Sequence, residues 1–88
     1  MNYASQFTPL FLRHLKRLDK RIRERVLEVL EEILDEPRRG SQLVYSQQVA
    51  FKWRVGDYRI IYAIDERRRI VTFVVVDHRS RVYRRYRR

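Results

Sequence analysis

Apolar residues follow a helical period in the first part of the chain. Phe11, Leu15 and Leu18 form one stripe, and Thr8-Pro9 supplies a hydroxyl N-cap followed by proline at the first helical position. A second helix is predicted after Asp19, a plausible cap, and ends at Pro37 with Gly40. Its stripe consists of Ile22, Val26, Val29, Leu30 and Ile33. The pattern predicts two short antiparallel helices.

The remaining segments have the period of β-strands. Residues 3–7 fit a short opening strand, and alternation or continuous apolar character resumes after residue 42 in LVY (43–45), VAFKWRV (49–55), YRIIYAI (58–64) and IVTFVVV (70–76). The last of these is apolar on both faces, which predicts a position in the middle of the sheet or under the helices. We therefore expect one α+β domain over residues 1–88, in the order β-α-α followed by an antiparallel sheet of three to four strands.

One hairpin of this sheet has a predictable register. If Gly56-Asp57 is a two-residue turn, Arg54 lies directly opposite Arg59, and Lys52 lies two residues along on the same face. Like charges in such positions cost a few tenths to about 1 kcal/mol. The arrangement becomes reasonable if this face binds an anion, although the side chains could also extend to solvent or pair with carboxylates of the helices.

Charge is distributed unevenly along the 88 residues, whose net charge is +10. Residues 1–36 are neutral overall, with seven basic and seven acidic side chains, so the whole excess lies in residues 37–88. Of the 21 basic residues 18 are arginine, the better bidentate partner for phosphate. A polyanion such as nucleic acid is the expected partner. Arginine enrichment as a habit of a thermophile or GC-rich genome would not explain its confinement to one part.

Several other classes of protein are disfavoured. The chain has no cysteine, and no apolar run approaches the roughly 18 to 20 residues of a membrane span. Its start has no signal-peptide layout, so a cytoplasmic protein without membrane attachment is expected. No metal-ligand cluster, Gly-rich phosphate loop or Ser/His/Asp set occurs, and we expect no metal and no cofactor. His14, in the first helix, is expected at the surface.

The end of the last strand carries the candidate chemistry. His78 and Arg79 follow the strand directly, and Arg81 and Tyr83 come next. Histidine can transfer a proton near neutral pH, and tyrosines between arginines can stack on bases while guanidinium groups hold phosphates. His78 could equally be a structural, hydrogen-bonded residue, and Tyr83 a ring that covers the sheet. If the protein is an enzyme, these residues favour metal-free RNA cleavage; simple binding is equally compatible.

Two stretches, FKWRVGDYRIIYAI (51–64) and FVVVDHRSRVYR (73–84), together with the opening strand and helical hairpin, resemble the RelE/ParE toxin superfamily. The most specific parts are the G-x-Y-R-(I/L)-(I/V)-Y pattern at 56–62 and the H-R…V-Y-R ending at 78–84. The resemblance implies a toxin of a type II toxin–antitoxin pair. RelE-like members cut mRNA in the ribosomal A site without a metal ion. Members of the ParE branch inhibit DNA gyrase instead, and a non-catalytic nucleic-acid-binding or co-repressor module is a further alternative.

The resemblance also implies site residues. The family's two basic residues on the strand before the turn fall on Lys52 and Arg54, and the arginine after Gly-x-Tyr falls on Arg59. The basic residue past the last strand falls on Arg79, and the terminal tyrosine on Tyr83. Arg54 replaces a lysine of the bacterial pattern and is a poorer proton donor or acceptor.

Other residues at this end have less definite counterparts in the family. The segment before Tyr83 is shorter than in some relatives, so Arg79 and Arg81 compete for the phosphate. His78, which has no fixed counterpart, joins the candidate catalytic residues. Further contacts to RNA are expected from Arg81, Arg84, Arg85, Arg87 and Arg88, and residues 84–88 are expected to form a basic tail. The implied partners are a RelB-like antitoxin, the ribosome with its mRNA and rRNA, and operator DNA through the antitoxin complex.

Overall fold

Five strands and two helices account for most of the residues that the structure, a computed structural model, describes: 3–45 and 48–86. A 3₁₀ turn, Pro37–Arg39, follows the second helix. The elements in chain order are β1 (Ala4–Phe7), α1 (Pro9–Arg17), α2 (Lys20–Asp35), β2 (Ser41–Tyr45), β3 (Gln48–Val55), β4 (Tyr58–Asp65), β5 (Ile70–His78) and a short α3 (Val82–Tyr86). The predicted α+β class and helical hairpin are confirmed. No helix in the described ranges is long and apolar enough to span a bilayer.

The strands form one sheet in the order β1-β5-β4-β3-β2. Strands β2 to β5 are an antiparallel meander, as predicted. The fifth strand is β1, which pairs in parallel with β5 so that Ala4 lies opposite Ile70 and Phe7 opposite Phe73. The sheet is therefore larger than the three to four strands expected, because the opening strand joins it. This pairing makes β5 an interior strand, which explains its continuous apolar sequence.

A bulge at Val74 changes the alternation of β5. Ile61 pairs with Val75, but the next residue of β4, Tyr62, pairs with Phe73, which leaves Val74 as the extra residue. Phe73 consequently packs in the cluster under the helices, whereas Val75 packs on the other face of the sheet. Asp77 pairs with Arg59 in the shifted register. The bulge thus decides which side chains of β5 share a face with the basic residues of the hairpin.

The main hydrophobic core lies between the helices and one face of the sheet. Phe73 is at its centre, with ring centroids 5.4 Å from Phe7, 5.7 Å from Phe11 and 6.1 Å from Tyr62. The helical stripe predicted from the sequence supplies the opposite wall. Its fully or nearly fully buried members are Val26, Val29, Leu30 and Ile33.

The opposite face of the sheet is covered by α3. Val82 of this helix is completely buried against Ala50, Ile61 and Val75. Residues 84–86 of the expected basic tail belong to α3, and the buried Val82 docks this helix on the sheet. Arg87 and Arg88 lie outside the described residues.

The first helix closes the edge of β5 where β1 ends. The Thr8 hydroxyl donates to the carbonyl of Val74 at 2.7 Å and, as the predicted N-cap, accepts from the Phe11 amide at 3.0 Å. His14 Nδ1 donates to the carbonyl of Val76 at 2.9 Å, and only 7% of this residue is exposed. The expected surface position of His14 is therefore wrong. The signal was available, because position 14 is three residues after Phe11 and lies on the same apolar stripe.

The cap expected at the start of α2 is only partly present. Asp19 occupies the N-cap position, but its side chain makes no capping hydrogen bond. The Arg23 guanidinium instead donates to the carbonyl of Leu18 at 2.8 Å, across the turn that joins the helices. The hairpin is therefore fixed by a basic side chain rather than by the carboxylate.

A close approach at Gly40 locks the turn after α2 onto the sheet. The buried Tyr62 hydroxyl donates to the carbonyl of Pro37 at 2.7 Å. A Cβ on Gly40 would overlap this hydroxyl and lie 2.8 Å from the carbonyl oxygen of Lys52. Burial raises the pKa of Tyr62, although a hydrogen bond from the Gly40 backbone opposes the shift. Only glycine leaves room for this contact.

Candidate functional site

The β3–β4 hairpin has the predicted register. Val55 pairs with Tyr58 and Arg54 with Arg59, so Gly56 and Asp57 form the two-residue turn. Gly56 has a φ of 61°, whereas Asp57 keeps a negative φ, the pattern of a type II′ turn. The turn geometry therefore fixes two arginines directly opposite each other.

Lys52, Arg54 and Arg59 share one face of the hairpin because side chains alternate along each strand. Arg54 is exposed, and Lys52 and Arg59 are partly buried. The Arg59 guanidinium donates to the carbonyls of Gly56 at 3.0 Å and Tyr58 at 2.9 Å, which anchors it at the turn. We call Lys52, Arg54 and Arg59 the basic face.

Tyr83 lies beside this basic face. Its ring centroid is 5.5 Å from Nζ of Lys52, within the range of a cation–π contact. The ring is half-buried and also packs against the small cluster that Val82 completes. The structure therefore brings together Lys52 and Tyr83, which are 31 positions apart in the sequence.

Arg79 and Arg81 differ in their surroundings. The Arg79 amide donates to the carbonyl of Asp57 at 2.8 Å, and its exposed guanidinium is 4.0 Å from the exposed Asp57 carboxylate. Arg79 thus lies at the turn, at the same end of the sheet as Arg59. Arg81 instead binds the buried carboxylate of Asp77, with Nη2 at 3.2 Å and Nε at 3.3 Å from Oδ1.

His78 holds the turn that follows β5. The Ser80 amide donates to its Nδ1 at 3.1 Å, and the Ser80 hydroxyl lies 2.9 Å from the same nitrogen. Since Nδ1 accepts, the neutral imidazole carries its proton on Nε2. The ring also packs edge-on to Tyr58, with centroids 5.4 Å apart. In this arrangement His78 offers a hydrogen-bond donor and no free acceptor.

The other predicted RNA contacts are less defined. Arg84 is exposed and donates to the carbonyl of Ser80 at 3.4 Å, and Arg85 lies in α3. Within the described ranges, no group of three acidic, histidine or cysteine residues could hold a metal ion. Two buried polar residues near the site, His14 and Asp77, had no assigned role in the sequence analysis.

The fold is that of a known class of toxin. The sequence model of the family described as "ParE toxin of type II toxin-antitoxin system, parDE" matches residues 6–83. The chain therefore belongs to the RelE/ParE superfamily of type II toxins, which confirms the resemblance seen in the sequence.

Individual relatives place the chain among RelE-like toxins. It is 37% identical to Toxin RelG of Mycobacterium tuberculosis over 97% of this chain and 100% of RelG. The toxin–antitoxin complex RelBE2 of the same organism contains a chain with a TM-score of 0.82 and 34% identity, over 89% of this chain and 99% of that one. A mutant of the E. coli toxin RelE in the free state superimposes with a TM-score of 0.75 at 25% identity, over 96% and 93% of the two chains.

Proposed function

We propose that this RelE-like toxin is a ribosome-dependent mRNA endonuclease that cleaves without a catalytic metal ion. The observation that carries the proposal is the contact between Lys52 and Tyr83 beside the opposed Arg54 and Arg59. Like charges directly opposite each other on a sheet destabilise a small domain, and a bound anion would relieve that repulsion. A phosphate with an adjacent base would use both the cations and the aromatic ring.

The reaction proposed is attack of a ribose 2′-oxygen on the adjacent phosphorus. The 2′-hydroxyl loses its proton, a 2′-O–P bond forms, the P–O5′ bond breaks, and the 5′-oxygen takes up a proton. Negative charge develops on the phosphoryl oxygens, so fixed cations stabilise the transition state more than the ground state. No redox step or cofactor is needed for this balance.

The geometry suggests a division of roles. Arg59, anchored at the turn, and the nearby Arg79 hold the scissile phosphate together with Arg54. Tyr83 stacks on the substrate base or positions the proton transfer next to Lys52. His78, whose Nδ1 is occupied by Ser80, donates from Nε2 and does not act as the base. Arg84, Arg85, Arg87 and Arg88 complete the proposal as contacts to ribosomal RNA, which would make binding strongly salt-dependent.

The proposed partners follow from the relatives. The M. tuberculosis RelBE2 structure and the intact E. coli RelBE structure are toxin–antitoxin complexes. We infer that a RelB-like antitoxin binds and neutralises this chain in the cytoplasm, and that the complex contacts operator DNA through the antitoxin. A short acidic reading frame beside the gene would support this partner.

The test is a translation reaction with programmed ribosomes, followed by mapping of mRNA 3′ ends. We expect cuts at fixed positions within codons, and none on the same mRNA without ribosomes. Tyr83→Phe separates the two roles of the tyrosine, since it retains the ring and removes the hydroxyl. Unchanged cleavage by Tyr83→Phe with loss in Tyr83→Ala would assign stacking alone.

Gyrase inhibition is the second candidate function, because the matching family description is that of ParE toxins. A DNA supercoiling assay run beside the ribosome assay separates the two candidates. Inhibited supercoiling without mRNA cuts would replace the nuclease proposal. Inactivity in both assays with tight binding to duplex DNA would indicate the non-catalytic nucleic-acid-binding or co-repressor module.

A further inference from the structure

Asp77 is a buried carboxylate at the end of β5, with only 7% of the residue exposed. Its Oδ1 accepts from the His78 amide at 2.8 Å and from two nitrogens of Arg81 at 3.2 and 3.3 Å. Its Oδ2 is 3.8 Å from Nδ1 of the buried His14. A carboxylate is costly to bury unless charged partners and hydrogen bonds surround it, so this cluster specifies one local arrangement.

The cluster controls how the chain continues into α3. After His78 the chain turns, and the Arg81 amide donates to the His78 carbonyl at 2.9 Å. Arg81 is followed at once by the fully buried Val82 and then by Tyr83, whose ring meets Lys52. The hydrogen bonds from Arg81 to Asp77 therefore fix the residue that directly precedes Val82, which docks the helix, and Tyr83, which contacts Lys52.

Arg81 lines a cleft that is not lined by Lys52, Arg54 or Arg59. Together with His14, Arg17 and Tyr58, Arg81 and Asp77 line a cleft of about 320 Å³ beside α1. Lys52 and Arg54 line a separate pocket of about 240 Å³ with Trp53 and Gly40. The Arg81 guanidinium is engaged by a buried carboxylate, whereas the carboxylate nearest to Arg79 is exposed and 4.0 Å away, so Arg81 has fewer donors left for a phosphate.

We propose that Asp77 and Arg81 are positioning residues that hold Tyr83 against Lys52, and that the Arg81 guanidinium binds this carboxylate instead of a phosphate. The effect on cleavage rests on the nuclease function proposed above. The effects on the position of Tyr83 and on RNA affinity do not, and they are measured separately.

The first test is a double-mutant cycle with Asp77→Asn, Arg81→Gln and the double variant. Loss of positioning lowers the single-turnover cleavage rate roughly 10- to 100-fold with an unchanged KM for programmed ribosomes. Because the two residues act through one contact, the double variant is no slower than the slower single variant. Arg81→Lys, which keeps a charge within reach of Asp77, recovers part of the rate. Multiplicative losses in the double variant would overturn the proposal.

The second test follows the Tyr83 ring by NMR in protein labelled on its tyrosines, with the signal assigned by Tyr83→Phe. The signal shifts in Asp77→Asn and in Arg81→Gln, and it keeps its wild-type position in Arg79→Gln. If Asp77→Asn does not fold, the Arg81 variants alone test whether this pair positions the Tyr83 ring, because the Arg81 side chain is half-exposed and its replacement is better tolerated. An unmoved Tyr83 signal in a folded Arg81→Gln protein would show that Arg81 does not position the ring.

The third test measures binding of a single-stranded RNA oligonucleotide of mixed sequence against salt concentration. Arg79→Gln lowers the slope of log K against log salt by about one, the loss of one phosphate contact, whereas Arg81→Gln leaves the slope unchanged. Arg79 is the matched control because it is an arginine two residues away whose carboxylate partner is exposed. A reduced slope in Arg81→Gln, with no reduction in Arg79→Gln, would reverse the assignment. If wild-type protein cleaves no ribosome-bound mRNA, the nuclease proposal fails, and the NMR and binding results still decide the role of Asp77 and Arg81.

Discussion

The two faces of the sheet differ in what covers them and in what they expose. Among the side chains that the structure describes, the face under α1 and α2 contributes to a cluster of twelve buried residues that includes three phenylalanine rings, whereas the cluster under α3 has four. Most of the hydrophobic free energy must therefore come from the helix-covered face, at about 1.5 to 3 kcal/mol for each large side chain. The other face carries the cations of the candidate site.

This difference explains how a small domain tolerates opposed like charges. Arg54 and Arg59 face each other on the side of the sheet that contributes less to stability, next to solvent that screens them. A basic site on the helix-covered face would have to desolvate those charges inside the core. The fold thus separates the residues that stabilise it from those available to a ligand.

The largest loss of stability is expected from Phe73→Ala. Removal of this ring from the centre of the aromatic cluster should lower the free energy of unfolding by about 3 to 5 kcal/mol. Val75→Ala is the matched control on the same strand, because Val75 packs under α3; its loss should be about 2 kcal/mol or less. Urea denaturation measures both, and equal losses would contradict the contrast between the faces.

Gly40→Ala should lower the free energy of unfolding by about 1 to 3 kcal/mol through overlap with the Tyr62 hydroxyl and the Lys52 carbonyl. Thermal denaturation of Gly40→Ala in the wild-type and Tyr62→Phe backgrounds tests this cause. The cost should shrink when the hydroxyl is absent. Gly56→Ala is a useful comparison, since the added Cβ would have no atom within 4 Å and the residue's positive φ is the only source of strain. This substitution should lower the free energy of unfolding by about 1 kcal/mol in both backgrounds.

Alkaline pH should destabilise the helix-covered face through Tyr62. The folded protein holds the pKa of this hydroxyl above 10.0, so the unfolded chain releases the proton first. The stability that Tyr62 contributes is complete below pH 10 and falls above it, by about 1.4 kcal/mol per pH unit. The difference in unfolding free energy between wild type and Tyr62→Phe, measured from pH 8 to about 11, isolates this residue. A difference that does not change with pH would contradict the assignment.

Arg59→Ala should have the smallest effect on stability and a large effect on cleavage. The variant loses hydrogen bonds to the turn but also removes a charge opposite Arg54, so the free energy of unfolding should change by less than about 1 kcal/mol. Loss of a phosphate-binding cation should reduce mRNA cleavage by about 100-fold or more. Urea denaturation and the ribosome assay measure the two effects. A large stability loss would show that Arg59 chiefly braces the turn.

Local patterns predicted the parts of the molecule that depend on neighbouring residues. The hairpin register followed from Gly56-Asp57, because a two-residue turn determines which residues of the two strands pair. The helical stripes followed from the spacing of their apolar residues. The parallel pairing of β1 with β5 joins residues far apart in sequence, and no local pattern encodes it. The bulge at Val74 lies within an unbroken run of apolar residues. The hydrophobic pattern therefore does not show that the side chains after Val74 change face.

The candidate site was predictable to a similar extent. The positions of Lys52, Arg54 and Arg59 on one face followed from strand alternation. Helix α3 was missed because arginines dominate its segment and the burial of Val82 depends on the outer face of the sheet. The contrast between Arg79 and Arg81 depends on Asp77 being buried, which requires the tertiary structure.

The parallel pairing of β1 with β5 has a consequence for how the chain folds. Ala4 pairs with Ile70, so the sheet can be completed only when most of the chain has been synthesised. Such a distant pairing raises the contact order and slows folding relative to the helical hairpin, which needs only local contacts. Tyr83 follows soon after β5, so the candidate site depends on the same late part of the chain that completes the sheet. A nascent or truncated chain that lacks β5 would lack both the finished sheet and the surface on which Tyr83 packs beside Lys52.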